Sequence, residues 1–321
     1  MEQIPIIDLS PALHGSAEEK YQVAMQIDKA CKEIGFIVVH GHDISPDVFT
    51  QMYTGLETFF NLPIEEKQKC KLDSGFTMAK DDYTPYGYSG LLEENAFAYM
   101  GEKGKPSDYV EKFSTGRLIL DDSQPLPFPK TGVAKSFRQD VKTYYQACEQ
   151  LSVILTRLFA LALELPEDFF ASKTDRSNDS LRLQTYPGFS HDFANRQGMA
   201  EHTDGTLMTI LTDTSPGIEV KLASGEWVRP MLEQEGHFLV NIGDLMMRWS
   251  NDEYVSTRHR VVLSDQKRQS IVYFKLANDD TVIESFPKFT QSRRAKYPPI
   301  VYKDFSLEKM DALFSRDKSA T

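Results

Sequence analysis

The chain has 321 residues, a hydrophobic content of 40% and a formal net charge of −11, from 36 basic against 47 acidic residues. This length and composition favour one globular unit with a buried core. The acidic balance argues against a non-specific nucleic-acid binder, which needs a basic face, and against binding to an anionic membrane surface. The sequence contains no run of about 18 apolar residues, so it predicts no membrane span.

The cysteines and the N-terminus favour a cytoplasmic protein. Cys31, Cys70 and Cys148 are odd in number and widely scattered, so we expect reduced thiols. The opening sequence, MEQIP, is not typical of a signal peptide. Cys31 and Cys148 fall on apolar helical faces, whereas Cys70 stands between two lysines and is expected to be exposed.

Three helices are predicted in the N-terminal half. Ser16 and Glu19 form a capping box, and the helix that it opens ends at Gly35. A second helix begins at Pro46. A long third helix is predicted over 135–163, and its apolar stripe indicates that it braces a sheet.

From Leu181 onward the pattern changes to short strands and turns. The runs 206–212 (TLMTILT), 237–242 (HFLVNI) and 271–276 (IVYFKL) are rich in β-branched and aromatic residues, which is typical of strands. The segment 220–228 predicts a hairpin. This half of the chain is therefore expected to be mainly β.

A candidate metal-binding pattern lies among these strands. On a strand, residues i and i+2 share one face about 6–7 Å apart, so His202 and Asp204 can converge on one ion. His259 then has to come from a later strand that folds back. Two imidazoles and one carboxylate are the ligand set of a mononuclear non-haem Fe(II) site with open positions. Taken singly, a His-x-Asp pair occurs by chance, and His259 could be a hydrogen-bonded core histidine.

A candidate carboxylate-binding pair follows the second histidine. Arg268 and Ser270 stand two residues apart, so both side chains can face the same way on a strand. A guanidinium offers a planar fork that fits a carboxylate, and a hydroxyl adds a further hydrogen bond. Taken alone, Arg268 could be a surface residue in a charged loop. Its position after His259 favours a role in binding an acidic co-substrate.

Several further segments carry a family resemblance. They are 4–10 (IPIIDLS), 35–42 (GFIVVHGH), 59–63 (FFNLP), 65–67 (EEK), 86–88 (YGY) and 244–261, which contains the second histidine. With the motifs above, the chain resembles the Fe(II)- and 2-oxoglutarate-dependent dioxygenases of the isopenicillin N synthase-like superfamily. The resemblance extends from about residue 4 to about residue 278.

The resemblance implies roles for particular residues. His202, Asp204 and His259 would bind iron, and Arg268 and Ser270 would hold the distal carboxylate of 2-oxoglutarate. Tyr186 matches a tyrosine that often helps to bind the same co-substrate, and a packed edge-strand aromatic before Pro187 is an equally compatible interpretation. Gln184 stands where the family often has asparagine. Six residues lie in segments that approach the iron in resembling proteins and are candidates for substrate contact: Tyr86, Tyr88, Met208, Met246, Trp249 and Phe274. For each of them, packing in the core is an equally compatible role.

The fold that the resemblance implies is a double-stranded β-helix, or jelly roll, with an N-terminal helical region and flanking helices. We expect an N-terminal non-haem dioxygenase region over 1–130. The oxygenase core, including its bracing helix, is expected over 131–285, and a C-terminal extension over 286–321.

The activity that the resemblance implies is oxidation of a small molecule with Fe(II), 2-oxoglutarate and O2. Hydroxylation, desaturation or oxidative cyclisation would proceed through a ferryl species, and specialised-metabolite biosynthesis is the expected setting. No nucleic-acid or membrane partner is expected, and the protein is expected to be a monomer or a homodimer. Three alternatives are an oxidase of the same superfamily that does not use 2-oxoglutarate, a non-catalytic jelly-roll binding protein, and a nucleic-acid demethylase, which the acidic charge disfavours.

Overall fold

The computed structural model describes residues 3–71, 86–93, 107–130, 132–188, 197–232 and 236–314. The α-helices in these ranges are α1 (Ser10–His14), α2 (Ala17–Glu33), α3 (Pro46–Phe60), α4 (Ile64–Gln68), α5 (Phe137–Ala162), α6 (Ala171–Thr174), α7 (Asp244–Trp249) and α8 (Tyr302–Phe314).

The strands run through the whole chain and are concentrated after residue 180. They are β1 (Ile6–Asp8), β2 (Phe36–His40), β3 (Gly87–Ser89), β4 (Glu111–Gly116), β5 (Ser180–Tyr186), β6 (Gln197–His202), β7 (Met208–Asp213), β8 (Ile218–Lys221), β9 (Trp227–Val228), β10 (Phe238–Ile242), β11 (His259–Val262), β12 (Arg268–Lys275), β13 (Val282–Ile283) and β14 (Ile300–Val301).

The three predicted helices are confirmed as α2, α3 and α5. Ser16 accepts a hydrogen bond from the Glu19 amide while the Glu19 carboxylate accepts one from the Ser16 amide, so the predicted capping box is present. The predicted hairpin is also present, because Val220 of β8 pairs with Val228 of β9. Helix α8 was not predicted, since this C-terminal segment shows no clear apolar periodicity.

Two sheets form the β-core. The major sheet has the order β1-β2-β10-β7-β12-β5-β4-β3, and the minor sheet has the order β6-β11-β8-β9. Except for the parallel pair β1–β2, the strand pairs are antiparallel. Large antiparallel sheets with flanking helices match the predicted jelly-roll architecture.

Strand β2 separates two cores. Phe36 and Val38 face a cluster that includes residues of the minor sheet, whereas Ile37 and Val39 belong to the larger cluster with α2, α3 and α5. Neighbouring residues of a strand point to opposite faces, so one face of the major sheet meets the minor sheet and the other meets the helices. Helix α5 packs on α2 and α3 and contacts β12, as its stripe predicted.

Cys70 differs from its prediction, because its side chain is only 4% exposed. Lys69 and Lys71 are turned outward, while the thiol points inward and donates to the Glu66 carbonyl. Burial raises the pKa of Cys70 to about 11. All three cysteines of the chain are free and buried. Within the described ranges, no helix combines the length and apolar character needed to cross a membrane.

Candidate active site

Two histidines meet between neighbouring strands of the minor sheet. His202 is the last residue of β6 and His259 the first of β11, and they lie directly opposite each other in the antiparallel register. Their ring centroids are 4.3 Å apart. The strand pairing therefore brings together two imidazoles that are far apart in the sequence.

The orientation of each imidazole is set by a backbone carbonyl. His202 Nδ1 lies 2.7 Å from the Ala200 carbonyl oxygen, and His259 Nδ1 lies 3.1 Å from that of Thr257. A carbonyl only accepts, so Nδ1 carries the proton in each ring and Nε2 keeps its lone pair. Burial, together with the nearby His259, lowers the pKa of His202 to about 4, which keeps this ring neutral near pH 7.

Asp204 completes the group from the loop after β6. Its carboxylate oxygens lie 3.6 Å from His202 Nε2 and 3.8 Å from His259 Nε2. The three possible ligand atoms lie within 4.8 Å of one another, and all three side chains are buried. Asp204 is in the loop rather than on the strand itself, which lets its carboxylate turn back towards both rings.

The carboxylate of Asp204 is tied to the major sheet. Oδ2 accepts hydrogen bonds from Thr209 Oγ1 at 2.7 Å and from Asn241 Nδ2 at 2.9 Å. Thr209 and Asn241 are directly paired on β7 and β10. Although burial raises it, the pKa of Asp204 is held below its usual value by the two histidines and these donors. The candidate metal ligands of the minor sheet are therefore connected to the major sheet through Asp204.

The candidate co-substrate residues lie on one face of β5, β7 and β12. Arg268 pairs with Tyr186, and Ser270 pairs with Gln184 on one side and Asp213 on the other. Residues paired across strands share a face of the sheet, as do residues two apart. The predicted trio Arg268, Ser270 and Tyr186 is therefore brought together.

Gln184 is a hydrogen-bond acceptor for two of these residues. Ser270 Oγ donates to Gln184 Oε1 at 3.0 Å, and Tyr186 Oη donates to the same oxygen at 3.1 Å. All three side chains are buried. Two donors that could hold a carboxylate are thus already oriented towards one point.

A cavity of about 610 Å³ connects the two groups. Its walls come from both sheets and from α8. The described residues that line it include the three candidate metal ligands, Gln184, Tyr186, Arg268 and Ser270. The buried Lys112 of β4, which pairs with Gln184 of β5, also lines it.

Sequence reasoning missed Lys112, Thr209, Asn241 and Asp213. A polar residue inside an apolar strand was a usable signal for Asn241.

The six residues predicted to contact substrate divide into two groups. Phe274 lines the cavity and stacks on Arg182, whose guanidinium carbon lies 5.6 Å from the ring centroid. The other five belong to the main hydrophobic cluster and are not among the described residues that line the cavity: Tyr86, Tyr88, Met208, Met246 and Trp249.

The residues present fit a metal ion and a carboxylate ligand. Two neutral imidazoles and one carboxylate suit a divalent iron site with further positions open. Arg268 Nη1 is buried and has no hydrogen-bond partner among the described residues, in a cavity where a bound carboxylate would supply one. The arrangement can therefore hold an ion and an acidic ligand side by side.

Comparison with known families agrees with this geometry. Residues 4–132 match the model described as "non-haem dioxygenase in morphine synthesis N-terminal", and residues 177–276 match "2OG-Fe(II) oxygenase superfamily". The chain is similar to the 2-oxoglutarate-Fe(II) type oxidoreductase hxnY of Emericella nidulans, with 32% identity over 94% of this chain and 87% of the relative.

Two further relatives are similar over nearly their whole length. A homoarginine-6-hydroxylase of Oryza sativa subsp. japonica is 32% identical, covering 96% of each chain. The crystal structure of a full-length Neurospora crassa protein in complex with alpha-KG and 5-formyluracil has a TM-score of 0.82 and 28% identity, again covering 96% of each chain.

Proposed function

Because this chain belongs to the 2OG-Fe(II) oxygenase superfamily and is a 2-oxoglutarate-dependent Fe(II) dioxygenase that acts on a small molecule, we propose that His202, Asp204 and His259 hold its iron. We further propose that Arg268, Ser270 and Tyr186 hold the distal carboxylate of 2-oxoglutarate. The observation that carries this assignment is the cavity that both groups line. When bound, Fe(II) and 2-oxoglutarate would supply the chemistry by which O2 oxidises a C–H bond of the substrate.

At the metal end, the protein prepares the ligands before the ion arrives. The carbonyls of Ala200 and Thr257 hold the Nδ1 protons, so both Nε2 lone pairs are available. Thr209 and Asn241 hold the Asp204 carboxylate, which limits its rotation. Such outer partners raise metal affinity by keeping the ligands in a binding geometry.

At the co-substrate end, the protein offers directed donors. Arg268 supplies a guanidinium nitrogen that lacks a partner among the described residues. The hydroxyls of Ser270 and Tyr186 can turn from Gln184 to a carboxylate without leaving the same face of the sheet. The apolar side chains Leu211, Val272 and Phe274 also line the cavity, so part of its wall is apolar.

We propose a small organic substrate and leave hydroxylation, desaturation and cyclisation as outcomes that its placement decides. A cavity of about 610 Å³ is in the usual range for such ligands. The net charge of −11 supports the absence of a nucleic-acid or membrane partner. We also propose a cytoplasmic monomer or homodimer in specialised metabolism, for which the three free, buried thiols support the reducing compartment.

The test is an anaerobic titration of metal-free protein with Fe(II) and then with 2-oxoglutarate. The readout is a visible metal-to-ligand charge-transfer band. We expect the band in the wild type, its loss in Asp204→Ala and its weakening in Arg268→Ala. Asp122→Ala and Arg176→Ala are matched controls, because both side chains are exposed and neither lines the cavity.

The other outcomes separate the alternatives. Iron binding without the band in the wild type would contradict 2-oxoglutarate use and favour an oxidase that binds its substrate directly. No iron binding at all would leave a non-catalytic binding protein.

A further inference from the structure

The guanidinium of Arg268 is held by the segment 213–217, which connects β7 to β8. Nη2 donates to Asp213 Oδ2 at 2.6 Å, and Nε donates to the Ser215 carbonyl at 3.1 Å. A Cβ atom at Gly217 would lie only 2.6 Å from Arg268 Cδ, so this position leaves room for the arginine. The Tyr186 ring centroid lies 5.0 Å from Arg268 Cζ.

These contacts leave Nη1 of the guanidinium without a partner among the described residues. Nε and one hydrogen of Nη2 are already used. Arg268 also lines the cavity. The surrounding chain therefore fixes which edge of the guanidinium a carboxylate can approach.

The same contacts mean that Arg268 already binds one carboxylate, that of Asp213, before any ligand arrives. The side chains of Asp213 and Arg268 are 5% and 4% exposed, so water screens their charges weakly. A carboxylate that binds Arg268 shares the guanidinium with Asp213 and is repelled by its negative charge. Burial raises the pKa of Asp213, with Arg268 opposing the shift, which fits a carboxylate in a poorly solvated place.

We propose that Asp213 sets the affinity for 2-oxoglutarate: it orients and neutralises Arg268 while no co-substrate is bound, and its charge weakens binding of the distal carboxylate. Asp213 is a positioning residue in this role, since it acts through Arg268. The inference rests on the proposed function, because it takes Arg268 as the co-substrate anchor.

Asp213→Asn separates orientation from charge. An asparagine can still accept the hydrogen bond from Nη2, and the Ser215 carbonyl and Tyr186 ring still hold the arginine. Only the negative charge is lost. The repulsion of the distal carboxylate then disappears, so the variant should bind 2-oxoglutarate more tightly than the wild type.

The experiment measures dissociation constants by anaerobic titration of the Fe(II)-loaded protein, following the charge-transfer band. We expect Asp213→Asn to bind 2-oxoglutarate about tenfold more tightly. Affinity for 2-oxobutyrate, which lacks the distal carboxylate, should not change. Glu219→Gln is the matched control, because Glu219 pairs with Arg229 and Arg260 and is not among the residues that line the cavity.

Thermal unfolding gives a second readout. Without co-substrate, Asp213→Asn should unfold at a lower temperature than the wild type, because a buried guanidinium has lost its counter-charge. Saturating 2-oxoglutarate should raise its unfolding temperature more than it raises that of the wild type. If Asp213→Asn does not fold, Asp213→Ser carries the same expectations, since it also removes the charge while the Ser215 carbonyl and the Tyr186 ring still hold the arginine.

Unchanged or weaker binding of 2-oxoglutarate by the variant overturns the inference. An equal shift for 2-oxobutyrate also overturns it, because the effect would not then involve the distal carboxylate. If the wild type itself shows no 2-oxoglutarate band, the proposed function is wrong and the inference falls with it. The wild-type titration therefore distinguishes the two failures.

Discussion

The amide of Asn241 donates a hydrogen bond of 2.9 Å to Oδ2 of Asp204. This bond holds a carboxylate of the metal group from a strand of the other sheet. Asn241→Leu keeps the branching and the number of side-chain heavy atoms but removes the donor, so the carboxylate gains freedom to rotate. We expect Fe(II) affinity to fall about 10- to 100-fold, measured anaerobically by competition with a chromophoric chelator.

Asn61→Leu is a control for the asparagine substitution. Asn61 bonds to the exposed Glu57 and does not line the cavity. Its variant should bind Fe(II) as the wild type does. Unchanged Fe(II) affinity in Asn241→Leu would mean that Thr209 alone orients Asp204.

Arg268→Lys tests whether the shape of the cation matters at the co-substrate end. Lysine keeps the positive charge but carries all its donors on one nitrogen. It therefore lacks the planar fork whose separate nitrogens reach Asp213, Ser215 and a ligand. We expect the dissociation constant of 2-oxoglutarate to rise about 10- to 100-fold while Fe(II) affinity stays unchanged. Arg260→Lys, in the more exposed pair with Glu219, is the control and should change neither the dissociation constant of 2-oxoglutarate nor the Fe(II) affinity. An unaltered dissociation constant in Arg268→Lys would exclude a role for the planar fork.

Gln184→Leu removes an acceptor shared by two buried hydroxyls, those of Ser270 and Tyr186. Each hydroxyl left without a partner costs about 1–3 kcal/mol, so the free energy of unfolding should fall clearly in denaturant titrations. Saturating 2-oxoglutarate should recover much of this loss by offering a new acceptor. A loss of stability that the co-substrate does not reduce would show that the hydroxyls do not reach it.

A substitution in the buried ion pair at the end of β12 opposite to Arg268 tests the contribution of this pair to stability. Lys275 Nζ lies 2.8 Å from Asp179 Oδ2, and the two side chains are 3% and 0% exposed. Lys275→Met leaves that carboxylate without its counter-charge, and the free energy of unfolding should fall by about 3–5 kcal/mol. Lys69→Met, in the exposed pair with Glu66, should cost less than about 1 kcal/mol. Equal losses in the two variants would contradict the buried-pair account.

Much of the fold followed from local patterns. The capping box at Ser16 and Glu19 and the apolar stripe of α5 were readable because helix periodicity and capping depend on neighbours within a few residues. Helix α8 was missed because its apolar residues are not segregated to one face. Cys70 was misjudged because its charged neighbours say nothing about which way the thiol turns.

The sequence by itself determined the chemical types at the site: His202, Asp204 and His259 as possible ligands, and Arg268 with Ser270 as a possible carboxylate clamp. For Arg268 and Ser270 their spacing along a strand was enough, because side chains two apart share a face. Asp204 lies in the loop after β6, so strand spacing alone did not place its carboxylate. Tertiary structure alone decided that β6 and β11 pair so that the two imidazoles face each other, and that Asn241 reaches Asp204. It alone brought Asp213 against Arg268. Strand register and sheet packing set these contacts, and both arise from burial over the whole chain rather than from any local spacing.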